Sequence, residues 1–150
     1  MNSWPHEQCE HLVHYRVLIA DDDADLLELL SASLCHSGAT VVQATTGAEL
    51  LEHVAEDLPF DLVITDVSMP WMTGLHVASS MRTAGLEVPL IIMTGLTDRS
   101  LADRVRLLGE HATLLRKPFG TVQLHRAIAS LLPQVGCADE SESERSPDSV

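Results

Sequence analysis

Five times over, this chain follows a short apolar run with an amphipathic stretch of helical period, and that alternation leaves few folds open to it. The runs are "YRVLIA", "ATVVQA", "FDLVITD", "VPLIIMT" and "ATLLRKP", short and rich in β-branched and aliphatic residues, as strands are. Between them, "ADLLELLSASLCHSG" sets Leu26, Leu30 and Leu34 at helical spacing and stops at Gly38, placed as a C′ residue. "TTGAELLEHVAEDLP" pairs Thr46 with Glu49 at capping-box spacing and puts Leu50, Leu51 and Val54 on its apolar side. "GLHVASSMRTAG" carries Val77, Ala78 and Met81, "TDRSLADRVRLLG" carries Leu101, Val105 and Leu108, and "GTVQLHRAIASLLP" carries Leu124, Ile128 and Leu131. Units of roughly 20 to 28 residues are the size of parallel βα units. The middle runs are apolar on both faces, as a sheet with helices on both sides requires. The expected fold is therefore α/β, a doubly wound five-stranded parallel sheet with helices on both faces.

In such folds ligands bind beyond the carboxyl ends of the strands, where strand order reverses, so the residues at those ends carry the functional information. The first run ends in Asp21, Asp22 and Asp23, the third in Asp66, the fourth in Thr94 and the fifth in Lys117. Three adjacent carboxylates repel, by roughly 4 kcal/mol per pair at about 4 Å and an effective dielectric near 20. Two arrangements relieve that repulsion: capping of the helix that follows, where anions are favoured, or coordination of a metal ion. Lys117 is the only lysine of the chain. An ammonium on a flexible stem meets a small tetrahedral anion where a rigid guanidinium fork would crowd it. Pro118 after it makes a cis bond available there.

Composition narrows the partners. A formal net charge of −13 argues against general binding to a nucleic-acid backbone, which needs clustered Lys and Arg. Cys9, Cys35 and Cys137 are odd in number and widely spaced, with neither a disulfide framework nor zinc spacing, which suits a reducing cytosol. No apolar run approaches the ~20 residues of a membrane span and no signal-peptide pattern opens the chain, so no membrane partner and a cytoplasmic location are expected. Residues 1–14, with His6, His11 and His14, read as an extension, residues 15–132 as the folded unit, and residues 133–150 as an acidic, Ser-rich disordered tail.

The stretches "VLIADD", "DLVITDVSMPWMTG", "VPLIIMTG" and "LLRKPF", in this order, resemble the receiver domain of bacterial two-component response regulators. The resemblance implies a flavodoxin-like strand order 2-1-3-4-5 and Asp66 as the phosphoacceptor. It further implies Asp21 and Asp22 as the acidic pair for Mg²⁺, Thr94 as the switch hydroxyl and Lys117 as the phosphoryl-binding lysine. Asp22 and Asp66 are expected to bind Mg²⁺ directly and Asp21 through water, with the backbone carbonyl of Ser68 completing the protein's share. Asp23 is then left as the helix N-cap. The implied activity is that of a phosphoacceptor regulator, with self-phosphorylation and self-dephosphorylation as its only reactions. Its partners would be a histidine kinase or histidine phosphotransfer protein, a downstream protein, and in the phosphorylated state a second copy.

Some positions depart from the family pattern. An aromatic residue usually stands three before the lysine, and here it is Leu114, so output is expected to run through repacking of Leu114 behind Thr94. Gly95 adds backbone freedom next to the switch. Leu96, two after Thr94, offers no hydrogen bond to an attacking water, so slow self-dephosphorylation is expected. Trp71, in the loop after Asp66, has the character of a partner anchor. A haloacid-dehalogenase-like phosphatase would need an aspartate where Ser68 stands, and a flavodoxin-like flavin carrier would not place "DDD" against a phosphate. A receiver-shaped module that is never phosphorylated is a further alternative. After Leu132 the remaining residues do not resemble a DNA-binding domain, so output by protein contact or onward phosphotransfer is expected, and the start at Met1 favours a true N-terminus. If the sequence is instead an excised receiver of a larger DNA-binding regulator, the acidic stretch is a linker.

Overall fold

Runs apolar on both faces find partners for both only in the middle of a covered sheet, and the computed structural model of the chain is built that way. It describes residues 14–57, 59–70, 72–95 and 99–132. In chain order these form β1 (Tyr15–Ala20), α1 (Ala24–His36), β2 (Ala39–Ala44), α2 (Gly47–Glu56), β3 (Leu62–Asp66), α3 (Gly74–Thr83), β4 (Leu90–Thr94), α4 (Ser100–Arg106), β5 (Ala112–Arg116) and α5 (Thr121–Leu131). The strands form one parallel sheet in the order β2-β1-β3-β4-β5, the expected order. Every residue of β3 and β4 is buried, whereas the edge strands β2 and β5 are only partly covered.

Alternation along the strands feeds two cores. Leu18, Val63, Leu90 and Ile92 point to the face covered by α2, α3 and α4, and meet Leu50, Val54, Val77, Met81, Leu101 and Val105. Val17, Ile19, Leu62, Ile64, Ile91 and Met93 point to the other face and meet Leu27, Leu30 and Leu34 of α1 and Leu124 and Ile128 of α5. Details of the helix seams differ from the sequence pattern, and Leu131 of α5 is half-buried where Leu132 is buried. The buried seam of α1 runs through Leu27, Leu30, Ser31 and Leu34, with Leu26 half-buried at its margin. Leu51 of α2 is 37% exposed and lies off the seam made by Leu50 and Val54. In both helices a leucine doublet offers two registers, and the contact with the sheet selects the second leucine in α1 and the first in α2.

Helix ends are set as the caps predict. Asp23 accepts from the amides of Asp25 and Leu26 at 3.1 and 3.2 Å, and Gly38 at φ 101° closes α1 in the left-handed region. Thr46 caps α2 by accepting from the Glu49 amide at 3.0 Å. The return bond from Glu49 reaches the amide of Thr45 rather than Thr46, at 2.7 Å, so the expected box is displaced by one residue on that side.

Far from the carboxyl edge, Arg16 ties β1 to the connection that enters β3. Its guanidinium donates to the carbonyls of Asp57 and Pro59 and stacks 4.3 Å from the Phe60 ring centre. Its amide donates to the Asp61 carboxylate at 2.8 Å, and its carbonyl accepts from the Asp61 amide at 2.8 Å.

The α1 seam is testable by substitution. Leu30→Ala should cost about 2–5 kcal/mol, as large-to-small changes in a packed core do. Leu29→Ser, at a position 61% exposed, should stay within about 0.5 kcal/mol. Urea unfolding of both variants checks the assignment, and equal losses would contradict it.

Candidate functional site

Strand order reverses between β1 and β3, and the residues just past their carboxyl ends meet there. Asp66 is the last residue of β3 and Asp21 follows β1 directly. Lys117 arrives from the next strand but one, after β5, and its ammonium donates to Asp21 Oδ2 at 2.8 Å and to Asp66 Oδ2 at 2.9 Å. The Lys117–Pro118 peptide bond is cis, as the sequence made available. The Lys117 amide donates to the Thr94 carbonyl at 2.7 Å, which continues the β4–β5 pairing to the site. Thr94 is buried at the end of β4. One edge therefore gathers Asp21, Asp22, Asp66, Thr94 and Lys117.

The two inner carboxylates have little freedom. Asp21 is fully buried, with Oδ1 accepting from the Asp23 amide at 2.9 Å and Oδ2 held by Lys117. Asp66 accepts from the Ser68 amide at 3.1 Å on Oδ1 and from Lys117 on Oδ2. Asp22 is exposed, and its side chain turns to the same point: one oxygen from each of Asp21, Asp22 and Asp66 lies within 4.8 Å of the others. Three carboxylates against one ammonium leave two negative charges, the complement of a divalent cation, and oxygen donors are what Mg²⁺ takes. The residues fit that ion. Ser68 is exposed, and its amide is the group seen to engage Asp66.

Burial pushes the Asp66 carboxyl above its ordinary value of 3.8; the bonds from Lys117 and the Ser68 amide only partly offset this, and the Asp21 charge adds to it. Burial works to lower the Lys117 ammonium, but the bonds to Asp21 and Asp66 outweigh it and hold the group above 10.5.

Sequence reading missed the part played by Gly74. It opens α3 so close to the end of β3 that a Cβ there would lie 2.1 Å from the Asp66 carbonyl and 2.3 Å from Thr65 Oγ1. The only sequence signal was a glycine eight residues after the aspartate. Leu114 is half-buried and packs with the core under α2, α3 and α4. Trp71 and Leu96, and residues 1–13 and 133–150, lie outside the described residues.

The Asp66 environment has a stability consequence with a definite sign. The folded protein holds the Asp66 proton more tightly than the unfolded chain does, so ionising it costs stability as pH rises above 3.8 through the raised folded value. Asp66→Asn should therefore stabilise the metal-free protein at pH 7, because it removes a buried carboxylate whose ionisation the fold disfavours. The gain should vanish near pH 3. Thermal melts in chelator across this range check it, and a less stable variant at neutral pH would contradict it.

Comparisons with known proteins give the family of the chain. The family model described as the response regulator receiver domain matches residues 17–129. The chain is 37% identical over 129 residues to response regulator MprA of Mycobacterium leprae, covering 85% of this chain and 55% of that protein. It is 35% identical over 130 residues to transcriptional regulatory protein PrrA of Mycobacterium tuberculosis, covering 86% and 54%. The chain thus spans about half the length of the curated relatives it matches. Among solved structures, response regulator TrrA of Thermotoga maritima, in complex with Mg²⁺-BeF, superposes with a TM-score of 0.69 at 27% identity, covering 78% of this chain and 98% of that one. The chain belongs to the response regulator receiver domain family of two-component systems.

Proposed function

We propose that residues 15–132 form a receiver unit in which Asp66 accepts a phosphoryl group from the phosphohistidine of a histidine kinase or a histidine phosphotransfer protein. A carboxylate oxygen of Asp66 forms the new bond to phosphorus, and the P–N bond breaks with its electron pair going to the imidazole. The product is an acyl phosphate. The observation that carries this reading is the position of Asp66: buried, at the strand-order reversal, 2.9 Å from the only lysine of the chain and beside two further carboxylates.

Asp22 and Asp66, with the Ser68 carbonyl, are the direct protein ligands for Mg²⁺ in this reading, and Asp21 acts through water. Asp22 is exposed and brings an oxygen to the same point as Asp21 and Asp66. Bound Mg²⁺ supplies charge neutralisation on the phosphoryl oxygens. Lys117 holds the same oxygens from the other side, and Thr94 turns its hydroxyl to them with Leu114 repacking behind it. The unit works in the cytoplasm; among the described residues no helix is long and apolar enough to cross a membrane. Output runs through a downstream protein, a second copy or onward phosphotransfer. A second reading of output, as the receiver portion of a longer transcriptional regulator, is favoured by the length of the curated relatives.

Intact-mass spectrometry after incubation with Mg²⁺ and acetyl phosphate tests the acceptor. One added phosphoryl group is expected on the wild type, and none without Mg²⁺ or on Asp66→Asn. A full adduct on Asp66→Asn, or failure of the wild type to bind beryllofluoride with Mg²⁺, would overturn the assignment.

A further inference from the structure

The chain carries a formal charge of −13, yet four of its nine Lys and Arg residues fall between positions 82 and 106. Arg82, Arg99, Arg104 and Arg106 there face only Glu87, Asp98 and Asp103, so this stretch is net positive. Two of these arginines line a groove of about 460 Å³ between α3 and α4, with His76, Ser79 and Thr83 along the α3 wall. Arg106 is paired with Asp103 at 2.6 Å, but no carboxylate among the described residues lies at ion-pairing distance from Arg82 or Arg104. Arg82 is half-buried and donates to the carbonyls of Leu108 at 2.8 Å and Leu86 at 2.7 Å, which fixes the guanidinium in place without neutralising it. Burial works against its charge, and only the more distant Glu87 favours it. Arg104 is exposed across the groove, beside Leu107, whose side chain is 86% exposed.

A positively charged concave site on an acidic protein calls for an acidic occupant, and the chain supplies one. Residues 133–150 contain Asp139, Glu140, Glu142, Glu144 and Asp148 against a single Arg145. We propose that this segment docks in the α3–α4 groove of its own chain, with its carboxylates against Arg82 and Arg104.

The topology makes the path short. The helices run back against the strands, so the ends of α3, α4 and α5 come to the edge where the strands begin. Leu132 belongs to the same core as Tyr15, the first residue of β1, while Arg82 reaches the Leu108 carbonyl just before β5. The two places lie on opposite faces of the sheet, about two helix diameters apart, or roughly 20 Å. The seven residues from Leu132 to Asp139 span up to roughly 23 Å when extended. Tethering also relaxes the affinity required: a short covalent connection gives an effective concentration on the order of 1 mM, so a dissociation constant of that order fills the groove half the time. The docked segment covers Leu107 and lies against α4, the helix that follows the loop after Thr94, so its release would accompany any repacking there.

The native thiol at Cys137 gives the test its probe. With Cys9→Ser and Cys35→Ser, a spin label on Cys137 of the full chain should broaden the amide signals of His76, Ser79 and Arg104 in a low-salt NMR spectrum. Arg104→Glu, at an exposed position, should abolish that broadening, and so should about 1 M salt, where the screening length falls to about 3 Å. Arg126→Glu, an exposed arginine of α5, should leave it in place. Broadening spread evenly over the surface, or unchanged by Arg104→Glu, would overturn the proposal. So would broadening that arises only between labelled and unlabelled molecules in a mixed sample.

Discussion

Burial of β1, β3 and β4 on both faces is the constraint from which the site follows. A parallel strand covered on two sides returns only through a crossover, and the crossovers here place each of α1 to α4 between the carboxyl end of one strand and the amino end of the next. All carboxyl ends then share one edge. Residues separated by as many as 96 positions, such as Asp21 and Lys117, come within a hydrogen bond without any local sequence signal joining them. The order β2-β1-β3 opens a gap between the helices on the two faces at that edge, and Asp21 and Asp66 sit on either side of it.

The charge arrangement at that edge is unfavourable by itself. Asp66 is removed from water, sits near Asp21 and, among the described residues, shares one cation with it. A structural ion pair with nothing further to do would gain from losing one carboxylate, since buried charges seldom repay their desolvation. An excess of buried negative charge held by rigid strands is what a site that takes a divalent cation and an anionic group needs.

Most of the fold was legible because strand runs and helix runs differ in both length and period. Where reading failed, the cause was a doubled residue. "LL" at 26–27 and 50–51 and "TT" at 45–46 each offer two registers, and only contact with the sheet or the returning Glu49 carboxylate chooses between them. The candidate site was legible one residue at a time, since each member stands at the end of its own apolar run. Gly74 was not, because its importance is the 2.1 Å gap where its side chain would be, and distance across a loop leaves no trace in composition. The groove arginines were equally hidden, lying on two helices whose approach is set by the core beneath them.

Arg16 shows how far the site's dependence reaches. It anchors the start of β3 to β1 through Asp61, Asp57, Pro59 and Phe60, at the edge opposite the carboxylates. Five residues of strand, roughly 16 Å, separate that anchor from Asp66, and a strand held at one end transmits its register to the other. Arg16, which touches neither Asp21 nor Asp66, therefore adds to the β1–β3 pairing from Val17–Leu62 to Ala20–Thr65 that fixes their relative height. In a survey of variants scored only by signalling output, Arg16 would group with the acidic residues it never meets, and distance from the reacting atoms would be a poor guide to which positions tolerate change.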